Sequence, residues 1–113
     1  MLRAWAFAFF VTQATEVPLA MWLVPDRPRA RVAVAAILAS TLTHPAFWFV
    51  APYAFHDYWT WVIASECVIG LVEGVVYARV ASLPLARGVA VSLQVNGASF
   101  LLGLGLTAAR LWP

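Results

Sequence analysis

Residues 59–81 read WTWVIASECVIGLVEGVVYARVA, an apolar run interrupted by Glu66, Glu73 and, near its end, Arg79. At about 1.5 Å of rise per residue the run is long enough to cross a hydrocarbon core of ~30 Å as a helix. A carboxyl at membrane depth costs about 2.5 to 3.5 kcal/mol on insertion scales, so two of them in one span call for a compensating environment. With about 100° of turn per residue, Glu66, Gly70, Glu73 and Tyr77 fall on one stripe of that helix. The stripe must face protein or a polar cavity, which makes this span the wall of a bundle with a polar interior.

Working outward, three more spans are expected. Ala4 to Val24 is apolar apart from Thr12, Gln13, Thr15 and Glu16. Its hydrophobic pattern resumes after Glu16 and no small-x-small site follows Val11, so it reads as a retained span rather than a cleaved leader. Pro25-Asp26-Arg27-Pro28-Arg29 turns the chain. Val32 to Ala51 makes the second span, with Ser40, Thr41, Thr43, His44 and Pro45 at its centre. Tyr53, Tyr58, Trp59 and Trp61 mark an interface, span three covers 59–81, and Ser82 to Gly88 forms the last turn. Val89 to Ala108 is the fourth span, and Arg110, Trp112 and Pro113 close the chain at the interface. The fold class is therefore all-α: an integral membrane four-helix bundle with short loops and one domain over residues 1–113.

Composition agrees with this class. The 113 residues are 64% hydrophobic and only 11% charged, and the mean hydropathy is +0.85; soluble domains are about 45–50% apolar. All basic residues are arginine. They gather in the two loops that follow spans one and three, as Arg27, Arg29, Arg31, Arg79 and Arg87, against Arg3 and Arg110 at the other end. The bias predicts both termini outside the cytoplasm. The lysine-free, alanine-rich composition points to a bacterial inner membrane. No basic, aromatic-interleaved surface suited to nucleic acid is present. Cys67, the single cysteine, is expected in the core beside Glu66, where a thiolate is disfavoured.

The candidate site residues are Glu16, His44, Glu66, Glu73, Tyr77, Asn96 and Ser99. Depth estimates from helical rise put His44, Glu66 and Ser99 in one layer and Glu16, Glu73 and Asn96 in a deeper one. Carboxyls in such places exchange protons rather than stand ionised in hydrocarbon, and His44 is placed to share a proton with Glu66. Pro18 and Pro45 each free a carbonyl four residues back, at Ala14 and Thr41, beside an ionisable side chain. The expected function is proton- or cation-linked transport, or a channel-like pathway, for a small ion or polar substrate. A non-catalytic accessory or assembly subunit of a larger membrane complex is the alternative. Gly70 and Gly74 form a helix-packing GxxxG face, expected to join copies into a homo-oligomer. With no second intramembrane histidine and no CxxC or phosphate-loop pattern, no structural metal, cofactor or enzyme activity is expected.

The four-span layout and Thr15-Glu16-Val17 in mid-span resemble the small multidrug resistance class of proton-coupled exporters. The resemblance implies a proton-coupled role for Glu16. Glu66, Glu73 and His44-Pro45 depart from that pattern, which relies on a single embedded acid. A weak internal repeat is also visible. Thr12-x-x-Thr15-Glu16 answers Ser40-x-x-Thr43-His44, and the stretch Thr43–Phe47 is matched with Val95–Ser99, as a duplicated hairpin would give.

Overall fold

The computed structural model describes residues 1–111; Trp112 and Pro113, expected at the interface, lie outside them. Four helices run in sequence: α1 (Leu2–Leu23), α2 (Arg29–Phe49), α3 (Tyr58–Val80) and α4 (Leu85–Ala108), with a 3-10 turn at Ala51–Tyr53 between α2 and α3. All four are long and apolar enough to cross a membrane. They form an up-and-down bundle of 38 × 27 × 20 Å. Each helix packs on its two neighbours in the ring and, among the described residues, on no diagonal partner. Outward-facing Leu38, Leu42, Val68, Leu71, Leu93 and Leu101 stay exposed, the surface expected of a bundle whose solvent is hydrocarbon.

The helix boundaries depart from the sequence reading at two places with one cause. Pro28 and Pro84 stand at the N-caps of α2 and α4 with φ of −55° each. Proline is already set for helix entry and has no N–H to leave unpaired. Helix therefore starts directly after each proline, taking Arg29, Arg31, Arg87 and Gly88 out of the loops and into first turns. The helices also continue unbroken through Pro18 and Pro45.

Below the middle of the bundle the interior is dry and finely packed. Ala20, Val24, Val32, Ala35, Ala36 and Ala81 are all buried to 1% exposure or less. Small side chains let the helices approach, and the approach is closest between α3 and α4. A Cβ added at Gly74 would lie 2.8 Å from the Val89 Cα, and one added at Gly88 would lie 2.5 Å from the Gly74 carbonyl oxygen. A Cβ at Gly70 would meet only the end of the Leu93 side chain, at 2.5 Å. The face expected to join copies of the chain is thus occupied by α4 of the same chain. Gly88, read from sequence as a turn residue, is the reciprocal half of the contact.

The two loops at this end are tied together. Asp26 accepts from both arms of the Arg87 guanidinium at 2.7 and 2.5 Å and from Arg27 at 2.9 Å. Arg27 also donates to the Ser82 carbonyl at 3.3 and 3.2 Å, and Arg31 to the Ser82 hydroxyl at 3.2 Å. Ser82 holds a left-handed φ of 55°, which lets the Leu83 N–H return to the Ala78 carbonyl at 3.1 Å and end α3 in a Schellman turn. The opposite end carries most of the aromatic residues, among them Phe47 stacked on Trp61 at 5.0 Å.

The two hairpins match in register. The C-caps of α1 and α3, Val24 and Ala81, are followed by the proline N-caps, with the second loop one residue shorter. Pro28-Arg29-Ala30-Arg31 is then answered by Pro84-Leu85-Ala86-Arg87. This alignment pairs Ser40 with Asn96 and Thr43 with Ser99. It replaces the sequence-based match of Thr43–Phe47 with Val95–Ser99, because the helix entries and not the polar clusters set the register.

Two outcomes are expected. Gly88→Ala destabilises the bundle by about 1–3 kcal/mol through overpacking. Gly97→Ala, where an added Cβ meets nothing within 4 Å, stabilises by up to about 1 kcal/mol through helix propensity. Thermal or denaturant unfolding in detergent checks both. For the loop clip, the Arg87 hydrogen bonds hold the Asp26 carboxyl well below the usual carboxylate range. Its contribution is present above the ordinary aspartate pKa of about 3.9 and is lost only as pH falls through the lower folded value. Amide exchange in both loops should stay slow on acidification past pH ~4, and speed up at neutral pH in Asp26→Asn.

Candidate functional site

Above the dry half, the four helices enclose a cavity of about 260 Å³. It runs from Glu16 and Glu73 toward Tyr58 and Thr107 at the aromatic end. The cavity is the work of a single chain, and all four helices contribute polar groups to it.

The floor consists of two carboxyls, each held from two other helices. Glu16, fully buried on α1, accepts at Oε2 from Ser40 of α2 at 2.5 Å and at Oε1 from Ser99 of α4 at 2.8 Å. Glu73, 1% exposed on α3, accepts at Oε1 from Thr43 of α2 and at Oε2 from the Asn96 amide of α4 at 2.6 Å. Asn96 also donates to the Ser92 carbonyl at 2.8 Å. A carbonyl oxygen only accepts, so this bond fixes which end of the amide faces Glu73. Ser40 and Thr43 lie one turn apart on α2, as Asn96 and Ser99 do on α4. Each of those helices thereby serves both carboxyls.

Higher on the wall the groups are less committed. Glu66 is half-buried and lines the cavity, and among the described residues its carboxyl has no hydrogen-bond partner. His44 lines the same space, and its Nε2 lies 3.5 Å from the Thr12 hydroxyl, a long contact. Its ring packs against Phe9 at 5.3 Å, Trp48 at 6.1 Å and Trp5 at 6.2 Å, while Nδ1 is buried without a partner. Thr12, rather than Glu66, is therefore the polar neighbour that His44 touches. Tyr77 is fully buried one turn below Glu73, and its hydroxyl is unpartnered. Gly70 and Gly74 flank Glu73 on the α4 side and allow Asn96 to reach it.

The structure thus brings Glu16, Glu73, Asn96 and Ser99 into one hydrogen-bonded floor and leaves Glu66 and His44 on the wall. Ser99 joins the lower group through Glu16, not the upper layer that rise alone suggested. Sequence reasoning passed over Ser40 and Thr43 as functional residues. The signal that finds them is the three-residue spacing shared with Asn96 and Ser99. Cys67, expected in the core, is exposed, because one residue's turn from Glu66 carries it off the inward stripe. No three His, Cys, Asp or Glu side chains converge as a metal-ligand set among the described residues. Comparison with protein families, characterised proteins and solved structures finds no match for this chain.

Double-mutant cycles test the floor. Asn96→Ala with Glu73→Gln, and Ser99→Ala with Glu16→Gln, should each give a coupling of about 0.6–1.7 kcal/mol, the range for membrane interhelical bonds. Ser99 with Glu73 should give a smaller coupling than either. Reversible unfolding in mixed micelles supplies the measurement.

Proposed function

We propose that this integral membrane protein is a small proton- or cation-linked transporter whose polar cavity takes up its ion, or a small polar or cationic substrate, from the aromatic side. The observation that carries the reading is the one-ended cavity itself. It leads from an aromatic mouth past an uncommitted carboxyl, Glu66, to two carboxyls at its floor, while the opposite half of the bundle is packed with alanine and valine. A static scaffold gains nothing from an unpartnered carboxyl in hydrocarbon, and intramembrane ionisable groups that face a cavity are the usual mark of a substrate or proton path.

In this reading the residues divide their work. Glu66 meets the incoming ion, and Trp48 and Trp61 offer ring faces that favour cations. Glu16 and Glu73 receive the charge at the floor. In this reading the dry end faces the cytoplasm of a bacterial inner membrane and both termini lie outside, an orientation that the arginine bias of the two loops supports. Passage to the far side then requires the dry half to open, as in alternating access.

Reconstitution tests this directly. Proteoliposomes with a trapped pH indicator and an imposed potential should report flux for the wild type and background for Glu66→Gln, with the variant still folded by circular dichroism. A folded wild type that is silent under proton, alkali-cation and divalent-metal gradients would remove the reading.

A further inference from the structure

The two floor carboxyls differ in surroundings but share one hydrogen-bond plan. With α1 and α3 aligned at their C-caps, Val24 and Ala81, Glu16 corresponds to Glu73; with α2 and α4 aligned at Pro28 and Pro84, Ser40 corresponds to Asn96 and Thr43 to Ser99. Within each hairpin the carboxyl bonds the first of these, Ser40 for Glu16 and Asn96 for Glu73. Across hairpins it bonds the second, Ser99 for Glu16 and Thr43 for Glu73. All four bonds therefore map onto one another in pairs, as a twofold axis running along the bundle requires.

The cross-hairpin partners have a property that the within-hairpin ones lack. Thr43 has one hydroxyl hydrogen and two acceptors in reach, Glu73 and the Ala39 carbonyl at 3.1 Å. Ser99 likewise has Glu16 at 2.8 Å and the Asn96 carbonyl at 3.1 Å. A hydroxyl donates once but also accepts. With the carboxyl ionised, the hydroxyl donates to it. With the carboxyl protonated, the acid O–H donates to the hydroxyl oxygen, and the hydroxyl hydrogen turns to its own backbone carbonyl. Ser40 has no such second acceptor among the described residues, and Asn96 donates through a fixed amide.

The charges around the pair leave room for that proton. The titratable groups facing it are His44 from α2 and Glu66 and Tyr77 from α3. α1 adds only Glu16 itself, and α4 presents Ser92, Asn96 and Ser99. Every arginine lies at a helix end. Among the described residues no cation pairs with either carboxyl. The Tyr77 hydroxyl, fully buried and without a hydrogen-bond partner among the described residues, lies within electrostatic reach of both.

We infer that Glu16 and Glu73 are one proton-binding pair, and that Thr43 and Ser99 are positioning residues whose hydroxyls reverse direction as each carboxyl gains or loses its proton. The proton is the ligand, and its gain and loss break no other covalent bond. The inference rests on the proton-handling reading of the cavity for its purpose and on the hydrogen-bond plan for its mechanism.

Infrared difference spectroscopy of the full chain in liposomes, titrated with pH in H₂O and D₂O, tests it. The expected result is a protonated-carboxyl carbonyl band with two components, one lost in Glu16→Gln and one in Glu73→Gln. Thr43→Val should move the Glu73 component alone and Ser99→Ala the Glu16 component alone, with Thr43→Ser and Ser99→Thr returning each to its place. Components indifferent to the hydroxyls, or moved equally by either, would overturn the assignment. Wild type decides by itself if a variant fails to fold: no carbonyl band from either carboxyl, or one at the position of an acid lacking an acceptor for its proton, also overturns it. These bands are read without transport, so silent proteoliposomes with shifting bands would sink only the transport reading. Glu66-dependent flux with unmoved bands would sink only this one.

Discussion

Two carboxyls at mid-membrane without a counter-cation dictate much of this molecule. Lipid offers them no hydrogen bonds, so the protein must supply every donor. Four oxygens demand four donors, and these come from α2 and α4, which flank both acids. Helix association in hydrocarbon has little hydrophobic drive to set how each helix is rotated about its axis. Here rotation follows from chemistry: α2 must turn Ser40 and Thr43 inward together, and α4 must do the same with Asn96 and Ser99. The ring order α1-α2-α3-α4 is the one in which both donor helices touch both acid helices.

The bundle then divides along its length. On one side of the acids, alanine, valine and two facing glycines bring backbones together in an apolar, buried interior. On the other, aromatic rings hold the helices apart around a cavity. The same four helices thus enclose a packed interior at one end and a cavity at the other. The arginine-to-Ser82 and arginine-to-Asp26 bonds secure the close end from outside. Exposed ion pairs of this kind contribute little stability singly. Their value is that they link one hairpin's loop to the other's, which fixes how the two halves register.

Much of this was legible in the residues. The length of the apolar runs gave four spans, and the helical angle between Glu66, Glu73 and Tyr77 gave the inward face of α3. Less legible was who would meet whom. Serine and threonine in membrane helices usually bond their own backbone, so Ser40 and Thr43 carried no mark of their second role until a carboxyl was placed opposite. Gly88 looked like a turn residue because Pro84 was read as loop rather than helix entry. The polar clusters suggest one offset for the repeat, whereas α2 and α4 are aligned by their proline caps. Cys67 adjoins Glu66 in sequence, yet a single residue's turn of the helix separates inside from outside and leaves the thiol exposed.

The uneven packing has an electrical consequence. A membrane potential falls across whatever insulates, and an aqueous cavity is a conductor beside a packed alanine core. Water in the cavity would bring the potential of the aromatic side down to Glu16 and Glu73. Nearly all of the voltage would then drop over the short dry half that holds Ala35, Ala36 and Ala81. A charge moved across the whole membrane is worth about 2.3 kcal/mol per 100 mV. With a water-filled cavity, most of that work would be concentrated in the few turns of helix below the acids, where the field would be correspondingly steep.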